Sequence, residues 1–335
     1  MKLLYLGNKL SKHGLNATTV ETLGKAFQSE GYDVVSVSEK KSFLFRILDM
    51  ALACLFQRNV AFVLIDTYST KAFWYTVICS QICRLRNLRY IPILHGGNLP
   101  ERLVKNPKLC RLVFSHAYRN AAPSNYLKNS FEEAGFTNVL YIPNSIEIDK
   151  YSFKKRTVFH PKLLWVRAFA EIYNPQMAVS VLHKISAVYP DALLTMVGPD
   201  KEGIQHEVER LAKDLNVKVQ FTGKLTKEEW WKLSEDYDFF INTTHFDNTP
   251  VSVMEAMALG LCVVSTNVGG LPYLFEHERD SILVPDNEIN EMAEKIVALM
   301  QKPFEAEQLT LNARSKAEQW DWRIIKEAWN RLFSL

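Results

Sequence analysis

Two carboxylates separated by seven residues, Asp247 and Glu255, stand out in the stretch FDNTPVSVMEAMALGLCVVSTNVGGLP (246–272). Between them Thr249 is a good N-cap and Pro250 suits a first helical position, so a helix is expected to begin inside a polar loop with its leading N–H groups turned outward. Such a helix start attracts phosphate. Glu255 lies four residues after Val251, on the same helix face one turn deeper, and Asp247 lies just ahead of the helix. Carboxylates repel phosphate but accept hydrogen bonds well from hydroxyls. The arrangement therefore suits a ligand with hydroxyls on both sides of a diphosphate, as in a nucleotide sugar. An ordinary surface capping motif has the same spacing.

The elements that must position these residues follow from hydrophobic periodicity. Short apolar runs at 3–6, 33–37, 61–65, 89–94, 121–123 and 139–142 read as strands, with amphipathic helices at 18–28, 43–56, 71–83 and 126–134 between them. A polar, aperiodic connector at 144–156 marks the domain boundary. A second series follows, with strands at 162–166, 192–197, 219–222, 239–241, 262–266 and 282–284 and helices at 177–188, 207–215, 227–235, 251–258 and 289–300. This βαβ rhythm predicts an α/β protein of two doubly wound, Rossmann-like domains. In such sheets ligands bind beyond the carboxyl ends of the strands, so two domains facing each other are expected to enclose a cleft.

Length supports two domains, since 335 residues exceed what one core usually organises. The balance of 47% hydrophobic and 23% charged residues is that of a folded globular chain. Five cysteines, odd in number and without metal-ligand spacing, fit a reducing compartment, and a cytoplasmic location is expected. The N-terminal MKLLYLGNK has too short an apolar run for a signal peptide and reads as a first strand. The longest uncharged apolar stretch, 72–83, falls short of the ~20 residues that span a bilayer. Charge is uneven: residues 1–150 hold 19 Lys/Arg against 11 Asp/Glu, and the remainder 21 against 26. The basic half, with Arg84, Arg86, Arg89, Lys105, Lys108 and Arg111 close in sequence, suits an anionic membrane surface as a partner. No nucleic-acid partner is expected.

The segment 247–270 resembles the donor-site signature of family 4 retaining glycosyltransferases of the GT-B fold: two acids (Asp247, Glu255), Glu255-Ala256-Met257-Ala258 with Gly260, the strand Val263-Val264-Ser265, then Gly269-Gly270. The resemblance runs through nearly the whole chain. It implies that Glu255 binds ribose hydroxyls and Asp247 the hydroxyls of the transferred sugar. Arg167, after LLWV, matches an arginine for the donor diphosphate, for which a guanidinium offers forked, permanently charged contacts. The family's lysine a few residues later is absent, and Tyr173 stands in that stretch. His95, followed by Gly96-Gly97, matches an active-site histidine, and Gly14 a glycine loop over the phosphates. Asp247 also replaces the family's usual glutamate, and Pro250 a frequent glycine.

The implied layout is an acceptor-side domain at 1–156, a donor-binding domain at 157–318, and an aromatic-rich helix at 319–335 crossing back to the first domain. The expected catalytic residues are His95, Asp247 and Arg167, and the expected donor contacts are Gly14, Arg167, Tyr173, Asp247, Asn248, Thr249, Val251, Ser252 and Glu255. No metal and no cofactor are expected beyond the co-substrate, a UDP- or GDP-sugar. The acceptor is expected to be a glycan or a lipid-linked sugar in cell-surface polysaccharide synthesis, met peripherally at the inner membrane face. A sugar-nucleotide epimerase, a phosphorylase and a non-catalytic nucleotide-sugar-binding module share these features. A nicotinamide dehydrogenase does not, because Leu3-Leu4-Tyr5-Leu6-Gly7-Asn8 lacks G-x-G-x-x-G.

Overall fold

The computed structural model describes residues 1–13 and 18–334. Contacts divide them into two compact units, one of Met1–Pro143 with Glu327–Leu335 and the other of Asn144–Lys326. Each is built on a parallel sheet.

In the first unit the strands are β1 (Lys2–Leu6), β2 (Asp33–Val37), β3 (Phe62–Thr67), β4 (Arg89–Leu94), β5 (Asn120–Ala122) and β6 (Val139–Tyr141), in the order β2-β1-β3-β4-β5-β6. Leu3 to Leu6 and all of β3 are buried, as strands covered on both faces must be. The helices are α1 (Thr19–Ser29), α2 (Phe43–Phe56), α3 (Phe73–Leu85), α4 (Leu99–Lys105), α5 (Pro107–Phe114) and α6 (Asn125–Glu133). The short α4 and α5 were not expected from the sequence. Each spans about two turns and carries proline at its start, too little length for a periodic signal.

The second unit holds β7 (Lys162–Val166), β8 (Leu193–Val197), β9 (Lys218–Gly223), β10 (Phe239–Asn242), β11 (Cys262–Thr266) and β12 (Ile282–Val284), ordered β12-β11-β10-β7-β8-β9. Its helices are α7 (Pro175–Ser186), α8 (Gln205–Asp214), α9 (Lys227–Leu233), α10 (Val251–Ala258), α11 (Leu271–Leu274), α12 (Ile289–Gln301) and α13 (Pro303–Glu318). The chain then enters α14 (Trp322–Ser334). Helix α13 shows no clear helical periodicity in the sequence because much of its buried face is alanine (Ala306, Ala313, Ala317), which leaves a weak apolar stripe. Strand β7 is followed by β8 on one side, while β10 joins it on the other. The order therefore reverses between β7 and β10, and the loops after those two strands lie side by side.

The connector at 144–156 is built into the second unit. Arg156 is buried and donates from Nε to Tyr237 O (2.8 Å), from Nη1 to Gly260 O (2.7 Å) and from Nη2 to Ser234 O (2.9 Å). It thereby satisfies one carbonyl just past the end of α10 (Gly260) and two in the turn between α9 and β10 (Ser234, Tyr237). The last turns of α14 pack in the first unit, where Trp329 meets Phe27 edge-on at 5.4 Å and Phe333 lies 5.3 Å from Phe62.

Candidate functional site

The switch point between β7 and β10 brings together residues 80 positions apart. Arg167 leaves the end of β7, and its Nη2 lies 2.5 Å from Asp247 Oδ2 in the loop after β10. Both side chains are mostly buried, at 14% and 17% exposure. The guanidinium carbon sits 4.9 Å from the ring centroid of Tyr173, so the tyrosine covers one face of the arginine in the stretch where the sequence lacks a lysine. Asp247 Oδ1 accepts from the backbone N–H of Asn248 at 2.7 Å. Arg167, Tyr173, Asp247 and Asn248 thus form one cluster.

Helix α10 starts beside this cluster. Pro250, not Thr249, is the N-cap: its ψ of 107° is extended and its carbonyl accepts from Val253 and Met254. A prolyl ring holds the residue before it in extended backbone, which keeps Thr249 out of the helix. Val251 and Ser252 consequently head the helix, with amides that have no intrahelical acceptor. Thr249 Oγ1 and Ser252 Oγ are buried and have no hydrogen-bond partner. A buried unpaired hydroxyl costs about 1–3 kcal/mol. Two of them at one anion-attracting helix start mark a place where polar ligand atoms would be welcome.

Glu255 is the lone acid in the buried run Val253–Ala258 and is 2% exposed. It has a separate set of partners. Tyr151 donates its hydroxyl to Glu255 Oε1 at 2.9 Å, and Lys227 Nζ approaches the same oxygen at 2.5 Å. Burial first, and then the Glu255 charge, hold the Tyr151 hydroxyl far above its ordinary pKa, so it remains a donor. The Trp231 ring lies against Tyr151, tilted by 52° with 4.5 Å between ring centroids. Two donors leave the carboxylate with lone pairs to spare for ligand hydroxyls. Sequence reasoning missed Tyr151, Lys227 and Trp231; only the KEEWW run, with its paired tryptophans, gave any signal.

The Gly269-Gly270 turn holds the Asp247 loop in place. Gly270 N donates to Asp247 O at 2.8 Å, and a Cβ on Gly270 would fall 2.1 Å from Asn248 O. Gly270→Ala must push back the backbone that carries Asp247. We expect nucleotide affinity to fall at least about tenfold, with a stability loss of about 1–3 kcal/mol, measured by calorimetric titration and thermal melting. An alanine variant that binds as tightly as the parent would show that the loop position is unimportant.

In the first unit, His95 follows β4. Its Nε2 lies 3.0 Å from Asp66 Oδ1, and its ring is 13% exposed. Asp66 is buried and also accepts from Tyr5 (3.0 Å) and Tyr68 (3.4 Å). Burial, and then the Asp66 charge, raise the pKa of both tyrosines, so they stay protonated as donors. With the carboxylate accepting, Nε2 is the nitrogen that carries the proton of this bond. A Cβ on Gly96 would fall 2.3 Å from Ser69 N, which explains the glycine after His95. Asp66 had no sequence signal beyond being an acid inside an apolar strand. Asp66→Asn removes the charged acceptor that His95, Tyr5 and Tyr68 share and is expected to cost about 1–3 kcal/mol of stability, which thermal melting would read. Gly14 lies outside the described residues.

The chain contains one Asp-x-Asp triplet, Asp236-Tyr237-Asp238, a pattern that elsewhere can hold a metal. Asp238 is committed to structure: it pairs with Arg156 Nε at 3.3 Å and accepts from the backbone N–H of His160 at 2.9 Å.

Residues 160–302 match the family model described as glycosyl transferases group 1. Among curated relatives, the chain is similar to the amylovoran biosynthesis glycosyltransferase AmsK of Erwinia amylovora, with 26% identity over 181 residues, 52% of this chain and 44% of the relative. It is also similar to the putative colanic acid biosynthesis glycosyltransferase WcaL of Escherichia coli strain K12, with 30% identity over 129 residues, 36% of this chain and 31% of the relative. The chain thus spans less than half the length of these relatives. Among solved structures, Anabaena Alr3699/HepE in complex with UDP-glucose superposes with a TM-score of 0.81 at 19% identity, covering 100% of both chains. Sucrose-phosphate synthase from Thermosynechococcus elongatus gives 0.81 at 14% identity, covering 99% of this chain and 98% of that one. The fold is therefore GT-B, with two Rossmann-like units.

Proposed function

We propose that the protein is a retaining glycosyltransferase of family 4 that takes a sugar from a UDP- or GDP-sugar and delivers it to a glycan or lipid-linked acceptor in cell-surface polysaccharide synthesis. The observation that carries this reading is the meeting of Arg167 with Asp247 at the start of α10, beside the unpartnered hydroxyls of Thr249 and Ser252. A diphosphate bound there takes the forked donors of Arg167 and the amides of Val251 and Ser252. Asp247, released from Arg167, accepts from the sugar hydroxyls, and Glu255 accepts from the ribose. The UDP-glucose complex of HepE favours uridine as the base, and the polysaccharide names of the relatives favour a glycan acceptor.

In the proposed reaction the leaving diphosphate develops negative charge, and Arg167 with the helix start neutralises it, work that a metal does in other transferases. The acceptor hydroxyl enters on the face from which the nucleotide leaves, without a protein nucleophile. His95, oriented by Asp66, positions the sugar or the acceptor. The enzyme works on the cytoplasmic side, at the inner membrane face.

Thermal melting against UDP, GDP, ADP and their sugars tests the donor site, since a ligand at about 100 times its Kd stabilises by about 2.7 kcal/mol. One base is expected to raise the melting temperature by several degrees. Mass analysis and anomeric assignment of products then test transfer and retention. If no nucleotide shifts the transition at millimolar concentration, the reading fails. Binding without transfer to any acceptor would favour a binding module, for which the lysine missing beside Tyr173 is the motive. Sugar interconversion or phosphorolysis without an acceptor would favour an epimerase or a phosphorylase.

A further inference from the structure

Arg46 is a buried cation without a counter-charge. It stands near the start of α2, is 8% exposed, and makes no ion pair among the described residues. Its Nη2 donates to Lys41 O at 3.1 Å, so the guanidinium leans back toward the helix start, as helical side chains do. Nε and Nη1 are buried and have no hydrogen-bond partner. The Tyr75 ring of α3, 5.9 Å from the guanidinium carbon, closes one side. A charge held out of water with its donors unused costs the folded state stability, and each such group asks for an explanation. The acids close by in sequence are engaged elsewhere. Asp49, one turn along α2, accepts from Ser38 Oγ at 2.5 Å, and Glu39 pairs with Lys9 and with Lys12, each at 2.9 Å.

What surrounds Arg46 favours a negative charge. Helices α2 and α3 follow β2 and β3, so both begin at carboxyl ends of strands in the parallel sheet, the edge at which such folds bind ligands. They are 14 and 13 residues long, and neither has an acid in its first turn or a side chain capping its leading amides. Phe43 and Tyr75, from the first turns of the two helices, are in ring contact at 5.1 Å, which places the two helix starts next to each other. Lys40 and Lys41 precede α2 and Lys71 precedes α3; all three are exposed and make no ion pair among the described residues. Two uncapped helix starts thus flank a buried arginine with idle donors, and three lysines edge them.

We propose that Arg46, the starts of α2 and α3, and Lys40, Lys41 and Lys71 form a binding site for an oxyanion carried by the acceptor, so that the saccharide receiving the sugar bears a phosphate or a carboxylate. That the anion belongs to an acceptor rests on the glycosyltransferase reading; that the site takes an oxyanion does not. The oxyanion supplies acceptors for Nε and Nη1 and a counter-charge for the guanidinium, which is charged at every working pH and bonds phosphate and carboxylate alike. A neutral glycan leaves Arg46 as it stands, with its charge unanswered. The same residue therefore selects acidic acceptors over neutral ones.

The test is thermal melting and calorimetric titration of the full chain with inorganic phosphate and, separately, with glucuronate, each against chloride at equal ionic strength. One of the two is expected to raise the parent's melting temperature by several degrees, and which one does so tells a phosphate-bearing acceptor from a uronate. Arg46→Met keeps the length of the side chain and should lose at least about tenfold in affinity for that anion. In chloride it should melt no lower than the parent, because an unanswered buried charge has been removed. An arginine with a purely structural role gives the opposite pattern, a lower melting temperature with the anion response intact. Lys41→Ala/Lys71→Ala alters exposed side chains alone and should weaken the same anion about threefold or more; it carries the test if Arg46→Met does not fold. Nucleoside diphosphate affinity should be unchanged in both variants, which separates failure here from failure of the donor site. No response of the parent to either anion at millimolar concentration, or a response of equal size in parent and variants, would overturn the proposal.

Discussion

Glu255→Ala is expected to lower kcat/KM for the nucleotide sugar about a hundredfold or more, and to weaken nucleotide binding to match. Each charge-assisted hydrogen bond from a ribose hydroxyl is worth about 1.5–3 kcal/mol, and a carboxylate can take two. The loss should appear with free UDP or GDP as well as with the sugar, because a ribose contact is made before chemistry begins. A structural cost comes with it. Tyr151, buried and donating to Glu255 at 2.9 Å, loses its acceptor, for a penalty of about 1–3 kcal/mol. Lys227, half exposed, can turn to water. Tyr151→Phe/Glu255→Ala removes that orphan and should recover stability without recovering binding, and Glu255→Gln keeps the shape while discarding the charge. Nucleotide affinity equal to the parent's in Glu255→Ala would remove the acid from the donor site.

Arg167→Ala is expected to cost about 10²–10³ in kcat, the scale seen when one charge-stabilising donor is removed from a developing anion. Arg167→Lys should recover little of it, because an ammonium lacks the forked geometry. The ion pair with Asp247 permits a sharper experiment. Removing Arg167 leaves a mostly buried carboxylate without its counter-charge, which destabilises the second unit. Arg167→Ala/Asp247→Ala should therefore melt higher than Arg167→Ala alone while remaining equally inactive. If activity returned with stability, Arg167 would be a structural partner of Asp247 and not a phosphate ligand.

Much of this architecture can be read from single residues and their neighbours in sequence. The strands 162–166, 262–266 and 282–284 are continuous apolar runs because both sheet faces are covered, and they are found at those bounds. The donor loop was legible for a related reason: acid, proline, helix and Gly-Gly turn all lie within one short segment. Legibility fails where partners are remote. Tyr151 and Glu255 are 104 residues apart and meet because the connector folds against α10. Asp66 looks like a stray acid in a buried strand until His95, Tyr5 and Tyr68 converge on it. Thr249 was misplaced as a cap by a single residue, since composition cannot show the extended ψ of Pro250.

By itself the sequence determined the alternation of strands and helices, the two parallel sheets and the residue types of the donor loop, because these follow from local periodicity and local backbone preference. Only the tertiary structure decided that the order of strands reverses between β7 and β10, and hence that Arg167 and Asp247 touch. It likewise decided which side of α2 is covered, for a helix apolar all round carries no record of the face its neighbours leave bare.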